Sequence, residues 1–424
     1  MKKIAILFSA IGFSFLFAIL FLPATLNADE SVVIGQNNPE HDIKAIQDAV
    51  DKGGTVILKG TFNFGEKGQV KIKNDIDISG ENYDSESPKT KIIGGFWPFH
   101  SPLPSTELPL PGPGPKIKIR NIHFDGAVWT PMHFPYTSGA EISGNKITNV
   151  HPYELPIKWK GGDTLWVSAG ALLGSRFAHS EKFLPGATTG NLIFEKNEVD
   201  LKCDNPKITM SQGAFYLWTW GATIEVKGNI FKNVSRNSVE SLDNYRNESG
   251  VGSVTVTDNK IITPVDGCPF PGPTSYPNGI VVGWFIDKSG AADPSRNSKT
   301  IVMNNYIETS AAELANGIIS LGDGTVVLEN TIFMGGGSKS NGITLLGSNG
   351  FAARNTIKGS GNWALRSVKY GELKGSENTF AWNDLGEFKG ASGDFMCMAD
   401  NNTYIGAECD TLVKGEGNRI FNKK

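Results

Sequence analysis

Asn316-Gly317-Ile318-Ile319-Ser320-Leu321-Gly322 recurs 25 residues later as Asn341-Gly342-Ile343-Thr344-Leu345-Leu346-Gly347. The same shift carries Asn330-Thr331-Ile332 onto Asn355-Thr356-Ile357. Upstream, Asn278-Gly279-Ile280 is a further copy of the first motif. A second marker is an asparagine followed two residues on by an apolar residue. It stands at Asn145, Asn197, Asn259, Asn305, Asn330, Asn355, Asn378 and Asn418, with looser copies at Asn121 and Asn229. The clean spacings are 24, from Asn121 to Asn145, and then 25, 25 and 23 from Asn305 to Asn378. Longer gaps read as a repeat with an insertion, or as two repeats.

The segments before these asparagines alternate with period two and carry β-branched residues: Thr223-Ile224-Glu225-Val226, Ser253-Val254-Thr255-Val256 and Thr300-Ile301-Val302-Met303. That is the pattern of strands. Short strands separated by Gly/Asn turns at a fixed short period predict a parallel β-helix of about eleven to thirteen coils, stacked about 4.8 Å apart. A β-propeller blade needs about 40–50 residues, too long for this register. The asparagine is expected at a tight turn that tolerates left-handed backbone, with its amide bonded from coil to coil.

Composition agrees. Of 424 residues 39% are hydrophobic and 20% charged, enough for a packed core. Glycine occurs 50 times and asparagine 34 times, both turn residues. No Gly-X-Y period is present, which excludes collagen. A formal net charge of −3 argues against a nucleic-acid binder, which would need a strong basic face.

Lys2 and Lys3, the apolar run Ile4–Leu22 and the small residues up to Ala28 before Asp29-Glu30 describe an export signal, residues 1–28. A retained anchor is the alternative, since the run is nearly one membrane span. Export permits disulfides among Cys203, Cys268, Cys397 and Cys409, with Cys397–Cys409 the preferred pair because they are close in sequence.

The segment Ile43-Lys44-Ala45-Ile46-Gln47-Asp48-Ala49-Val50-Asp51-Lys52-Gly53-Gly54-Thr55-Val56-Ile57-Leu58 puts Ile43, Ile46 and Val50 on one helical face, lets Gly53 end the helix and begins a strand at Thr55. It resembles the entry segment of the right-handed parallel β-helix superfamily of pectate-lyase-like proteins. The stretch from Asp394 through Asn401-Asn402-Thr403-Tyr404 to Gly417-Asn418-Arg419-Ile420 is similar to the closing coils of bacterial members. The resemblance implies an all-β, single-stranded solenoid: an N-terminal cap over residues 29–60 with a helix, then a β-helix over 61–424. That superfamily holds lyases, glycoside hydrolases, epimerases and proteins without known activity, so the repeat specifies fold and not chemistry.

Chemistry is sought where the 25-residue beat breaks, between 96 and 300, while the regular part beyond Met303 reads as scaffold. Four inserted loops are expected: Phe96–Pro115, His151–Gly190, Ser235–Gly252 and Val265–Asn278. The third carries Arg236, Glu240, Asp243, Tyr245 and Arg246, candidate catalytic residues: a carboxylate there could hold a calcium ion, an arginine neutralise a uronate, and Tyr or Arg move a proton. Trp159, Trp166, Arg176, Tyr216, Trp218 and Trp220 are candidate substrate-binding residues. Lys158-Trp159-Lys160 with Asp163 is a weaker basic patch, and His123, His133, His151 and His179 fit no metal-ligand spacing. Adjacent aspartates, a Gly-His-Gly motif and a phosphate loop are missing from the sequence. The expectation is an exported monomer that binds or processes a polysaccharide, lyase- or glycosidase-like, at a lateral face. The alternative is a non-catalytic structural or adhesive envelope protein.

Overall fold

A computed structural model describes residues 30–422 apart from 82–87, 106, 152–157, 160–161, 164–165, 175–183, 202–209, 249, 264–276, 285–298 and 407–410. Two large parallel sheets dominate, one of 14 strands and one of 21, with one α-helix, Pro39–Lys52. The chain coils as a right-handed parallel β-helix. The 14-stranded sheet runs from Glu30–Ile34 to Arg419–Asn422 and contributes one strand per rung, slightly more rungs than the repeat predicts. The larger sheet supplies two further faces. One is a stack of short strands such as Ile122–Asp125, Lys146–Thr148 and Glu198–Asp200; the other a stack of longer ones such as Met210–Trp220, Asn237–Tyr245 and Asn278–Gly283. Alternate residues of all three faces point inward, so Ile224, Val254, Phe231, Ile261, Val239 and Ile280 share one continuous core.

The recurrent asparagine works one residue away from where the turn argument puts it. The left-handed backbone belongs to its predecessor: Gly144, Lys196, Gly228, Asp258, Asn304, Glu329, Arg354 and Trp382 all have φ between 52° and 64°. That residue swings the chain from the first sheet into the short strands, and the asparagine after it lies along the stack. Asn145, Asn197, Asn229, Asn259, Asn305, Asn330, Asn355 and Asn383 form a ladder. In every step the backbone N–H and Nδ2 of one asparagine donate to Oδ1 of the next at 2.9–3.1 Å. Asn378 is not a rung of it. Asn378, Asn402 and Asn418 bond to one another at a different corner, where backbone N–H groups donate to Oδ1 at 2.8 and 2.7 Å.

The Asn-Gly-Ile motif is a third corner. Asn278, Asn316 and Asn341 are its amide rungs, and Ile280, Ile318 and Ile343 enter the core. At the glycine between them a Cβ would come 2.8–2.9 Å from the side chains of Ile307, Ile332 and Ile357 across the coil. Only glycine lets the two faces approach so closely.

The cap follows the sequence reading. Asn38 accepts from the backbone N–H groups of Glu40 and His41, Gly53 ends the helix at φ 75°, and Ile46 and Val50 are buried on the first coil. Asp42 is the unforeseen member. It is fully buried and accepts the N–H groups of Gln36, Asn38 and Asn63 at 2.8–2.9 Å.

Two further expectations fail. Cys397 is a free buried thiol whose Sγ lies 3.3 Å from Ala399 O and 3.2 Å from Asn418 Oδ1, so it is not joined to Cys409. Its place inside the stack, in line with Leu345 and Ser367, makes it core filling. The segment around Asn237–Tyr245 is a buried strand of the stack and not a charged loop. Val239 points into the core and Leu242 to the outer apolar cluster, so both faces of this strand are covered. The signal segment, Cys203, Cys268 and Cys409 lie outside the described residues.

Candidate functional site: a lateral groove on the long-strand face

The long strands turn one row of side chains outward along the whole stack. In register it reads Lys71, His100, His133, Leu172, Phe215, Glu240, Val281, Ile319, Thr344, Arg366 and Met396. His100 and His133 stack with ring centroids 5.1 Å apart. Leu172, Phe215, Leu217, Leu242 and Val281 form an apolar cluster on this outer side, beyond the coil's own core. Glu240 interrupts it, 3% exposed, with Gln212 Nε2 and Asn237 Nδ2 donating to its Oε2 at 2.7 and 2.6 Å.

Farther along, the row opens into a groove of about 420 Å³. Its floor is Ile319, Thr344 and Arg366, with Leu346 and Val368 beside them and Asn316 and Asn341 at one edge. Leu314 contributes to one wall. Opposite stand Lys369 and Tyr370, on a tight loop closed by reciprocal backbone bonds between Tyr370 and Leu373 at 2.9 and 3.0 Å. Tyr370 is 58% exposed. Among the described residues, none that lines the groove is acidic. Burial pushes the Arg366 guanidinium below its ordinary value, yet it remains a cation at neutral pH. Three buried polar atoms of this groove have no hydrogen-bond partner among the described residues: Asn341 Oδ1, Thr344 Oγ1 and Arg366 Nε. Buried polar atoms are usually paired, so these three stand available to a ligand entering the groove.

The predicted site residues are distributed otherwise. Glu240, Asp243 and Tyr245 are all buried in the strand Asn237–Tyr245. Asp243 has φ 58°, Arg236 just precedes the strand, and Arg246 follows it, exposed. Tyr216 is wholly inside the core, where burial pushes its phenol far above the ordinary range. Trp220 stacks on Tyr245 at 4.5 Å, and Trp218 packs against the outer apolar cluster. Trp159 belongs to a short antiparallel pair, Lys158–Trp159 with Gly162–Asp163, and Trp166 begins the strand Trp166–Gly174; their side chains, and all of Arg176, lie outside the described residues. Arg366, Lys369 and Tyr370 were missed because they stand in the stretch read as scaffold. Nothing in Thr356–Ser367 alone says that Arg366 faces outward.

The short-strand face carries ion pairs instead. Lys91 and Asp125 lie 2.7 Å apart, Lys232 and Glu198 3.0 Å apart, and His123 Nε2 meets Thr148 Oγ1 at 2.8 Å. Burial depresses the His123 pKa, with Lys91 and Lys146 adding to it against the pull of Asp125. For Asp125 and Glu198 burial alone would raise the pKa; bonds from Lys91, Asn149 and Thr148 to Asp125, and Lys232 and Lys146 near Glu198, outweigh it and lower both. All three groups bind protons more weakly folded than unfolded. The stability they lend is therefore present above their unfolded pKa values and lost as pH falls, His123 first, below about 6.5, and the carboxylates below about 4.5. In urea titrations between pH 8 and 4, His123→Gln should flatten the upper part of that decline; an unchanged profile contradicts the assignment.

No protein-family model matches the chain, and no curated protein is similar to it. Solved structures are. A mannuronic-acid-specific polysaccharide family 6 lyase from human gut microbiota aligns at 13% identity and TM-score 0.47, covering 92% of this chain and 82% of the lyase. A surface adhesin of Streptococcus pneumoniae aligns at 12% and 0.44, covering 92% and 90%. The A-module of a mannuronan C-5 epimerase from Azotobacter vinelandii aligns at 12% and 0.42, covering 89% and 93%. With TM-scores below 0.5 these likenesses decide nothing about the chain, and its fold rests on its own topology. By its own all-parallel stack and its capping helix, the chain is a right-handed parallel β-helix protein.

Proposed function

We propose that the protein is an exported glycan-binding β-helix, and that it grips an acidic polysaccharide in the groove at Arg366. The observation that carries this reading is the trio of buried polar atoms, unpaired among the described residues, on the floor and edge of an open groove whose described lining has no acid. A half-buried guanidinium with no carboxylate partner among the described residues favours an anion, and it can fork onto a carboxylate with two bonds. Tyr370, Leu346 and Val368 offer the apolar surface that a sugar ring's face needs, while Asn341 and Thr344 meet its hydroxyl edge. Basic start, apolar run and small residues at the N-terminus support export.

Affinity measurements across acidic and neutral polysaccharides test the proposal. Arg366→Ala should weaken binding of an acidic chain by roughly tenfold to a hundredfold, and Tyr370→Ala by several-fold. Failure to bind any acidic polysaccharide, or an Arg366→Ala variant that binds as well as the parent, overturns it.

One observation favours processing as a second reading. Glu240 is a carboxylate on the same outward row, four rungs from Arg366, held in one orientation by Gln212 and Asn237. With Arg236, Asp243, Tyr245 and Arg246 it would form the lyase- or glycosidase-like centre. Ultraviolet-absorbing or reducing-end product from a bound polysaccharide, abolished in Glu240→Gln, is the outcome this reading requires.

A further inference from the structure

The corner ladder of the Asn-Gly-Ile motif has a direction, and it ends in the groove. Asn278 Nδ2 donates to Asn237 Oδ1 at 2.8 Å, Asn316 Nδ2 to Asn278 Oδ1 at 2.8 Å, and Asn341 Nδ2 to Asn316 Oδ1 at 3.0 Å. Every amide nitrogen points back toward the first rung, where Asn237 donates to the Glu240 carboxylate at 2.6 Å. The backbone N–H of Asn341 also donates to Asn316 Oδ1, at 2.9 Å. These bonds fix which end of each amide carries the oxygen, and aligned amides polarise one another.

The oxygen end of that chain is Asn341 Oδ1. In the eight-rung ladder of the neighbouring corner, such an oxygen receives two N–H groups from the adjoining rung. Here the residue next in register is Trp363, and Asn341 Oδ1 is left buried with no partner among the described residues. Its own nitrogen is already committed to Asn316 Oδ1 and to Lys339 O at 3.1 Å. The group can therefore only accept, whereas Arg366 Nε in the same groove can only donate. An acceptor buried without a donor is costly, and a ligand that brings a donor removes the cost.

We propose that Asn341 is a specificity-determining residue of this groove, accepting a hydrogen bond from a free hydroxyl group of the bound sugar chain. This rests on the reading of the groove as a glycan site. Acetylating the sugar hydroxyls takes away the donor and sets a carbonyl oxygen against Asn341 Oδ1. The groove then discriminates between bare and O-acetylated chains of the same backbone.

The experiment is calorimetric titration of the full chain with a polyuronate and with the O-acetylated form of the same preparation. The acetylated form should bind about tenfold more weakly or worse, the size expected for a buried polar group left unpaired. Asn341→Ala should bring the two affinities within about twofold of each other, with Arg366 still required for both. Equal affinities in the parent protein overturn the proposal while leaving the glycan site intact, and need no variant to fold. Discrimination that survives in Asn341→Ala also overturns it. Absence of binding to either form overturns the glycan reading, and this proposal with it.

Discussion

Asn305→Ala lowers the free energy of unfolding by about 3 kcal/mol, the sum of several buried groups left without partners. The Asn305 Nδ2 group donates to Val256 O at 2.9 Å, to Met303 O at 3.0 Å and to Asn330 Oδ1 at 2.9 Å. Its Oδ1 receives the backbone N–H and the Nδ2 of Asn259. Alanine removes all five contacts, and Asn305 is 1% exposed, so water cannot readily replace them. The rung also sits mid-stack, and a solenoid's stability is roughly a sum of unit terms and nearest-neighbour terms. The damage should therefore appear as earlier loss of hydrogen-exchange protection in the Asn259 and Asn330 rungs, with the N-terminal coils spared. Urea unfolding measures the total, and a loss under about 1 kcal/mol would mean that the ladder is ornament rather than support.

Asp42→Ala should cost a similar amount, about 3 kcal/mol, and concentrate it at the N-terminal end. The carboxylate collects N–H groups from Gln36 and Asn38 before the helix and from Asn63 on the first coil. It thus ties the cap to the stack it covers. Hydrogen bonds to a charged group are worth more than neutral ones, and all three donors would be stranded. Without the cap, the edge at Thr55–Leu58 and the core residues Val56 and Leu58 lose their cover, and an open strand edge invites association. The expected observations are rapid hydrogen exchange over residues 30–63 and concentration-dependent aggregation. Asp42→Asn, which keeps an acceptor oxygen but not the charge, should fall between the two. Unaltered protection over the cap would refute the role given to Asp42.

Much of this architecture was legible in the residues. The asparagine beat, the alternating strands and the helix from Pro39 to Lys52 are local patterns, and each reports its own neighbourhood. The partners of the beat were less so. Successive rungs of the long ladder lie 52, 32, 30, 46, 25, 25 and 28 residues apart, so no single period marks them. Asn378 has the better spacing, yet Asn383 occupies the rung. The strand Asn237–Tyr245 misled for a related reason: its charges suggested solvent, while the outer side of the long-strand face buries Glu240 beside Phe215 and Val281.

By itself the sequence determined a stacked parallel coil, its helical lid and the amide ladders at its corners, since turn geometry and strand alternation are set by residues adjacent along the chain. Only the tertiary structure decided where a ligand could enter. Arg366 comes beside Thr344 through register, meets Tyr370 through a loop fold, and finds Asn341 at the end of a ladder because Trp363 breaks it. Those relations depend on how many residues each coil spends before it returns, and that count is fixed by packing across coils.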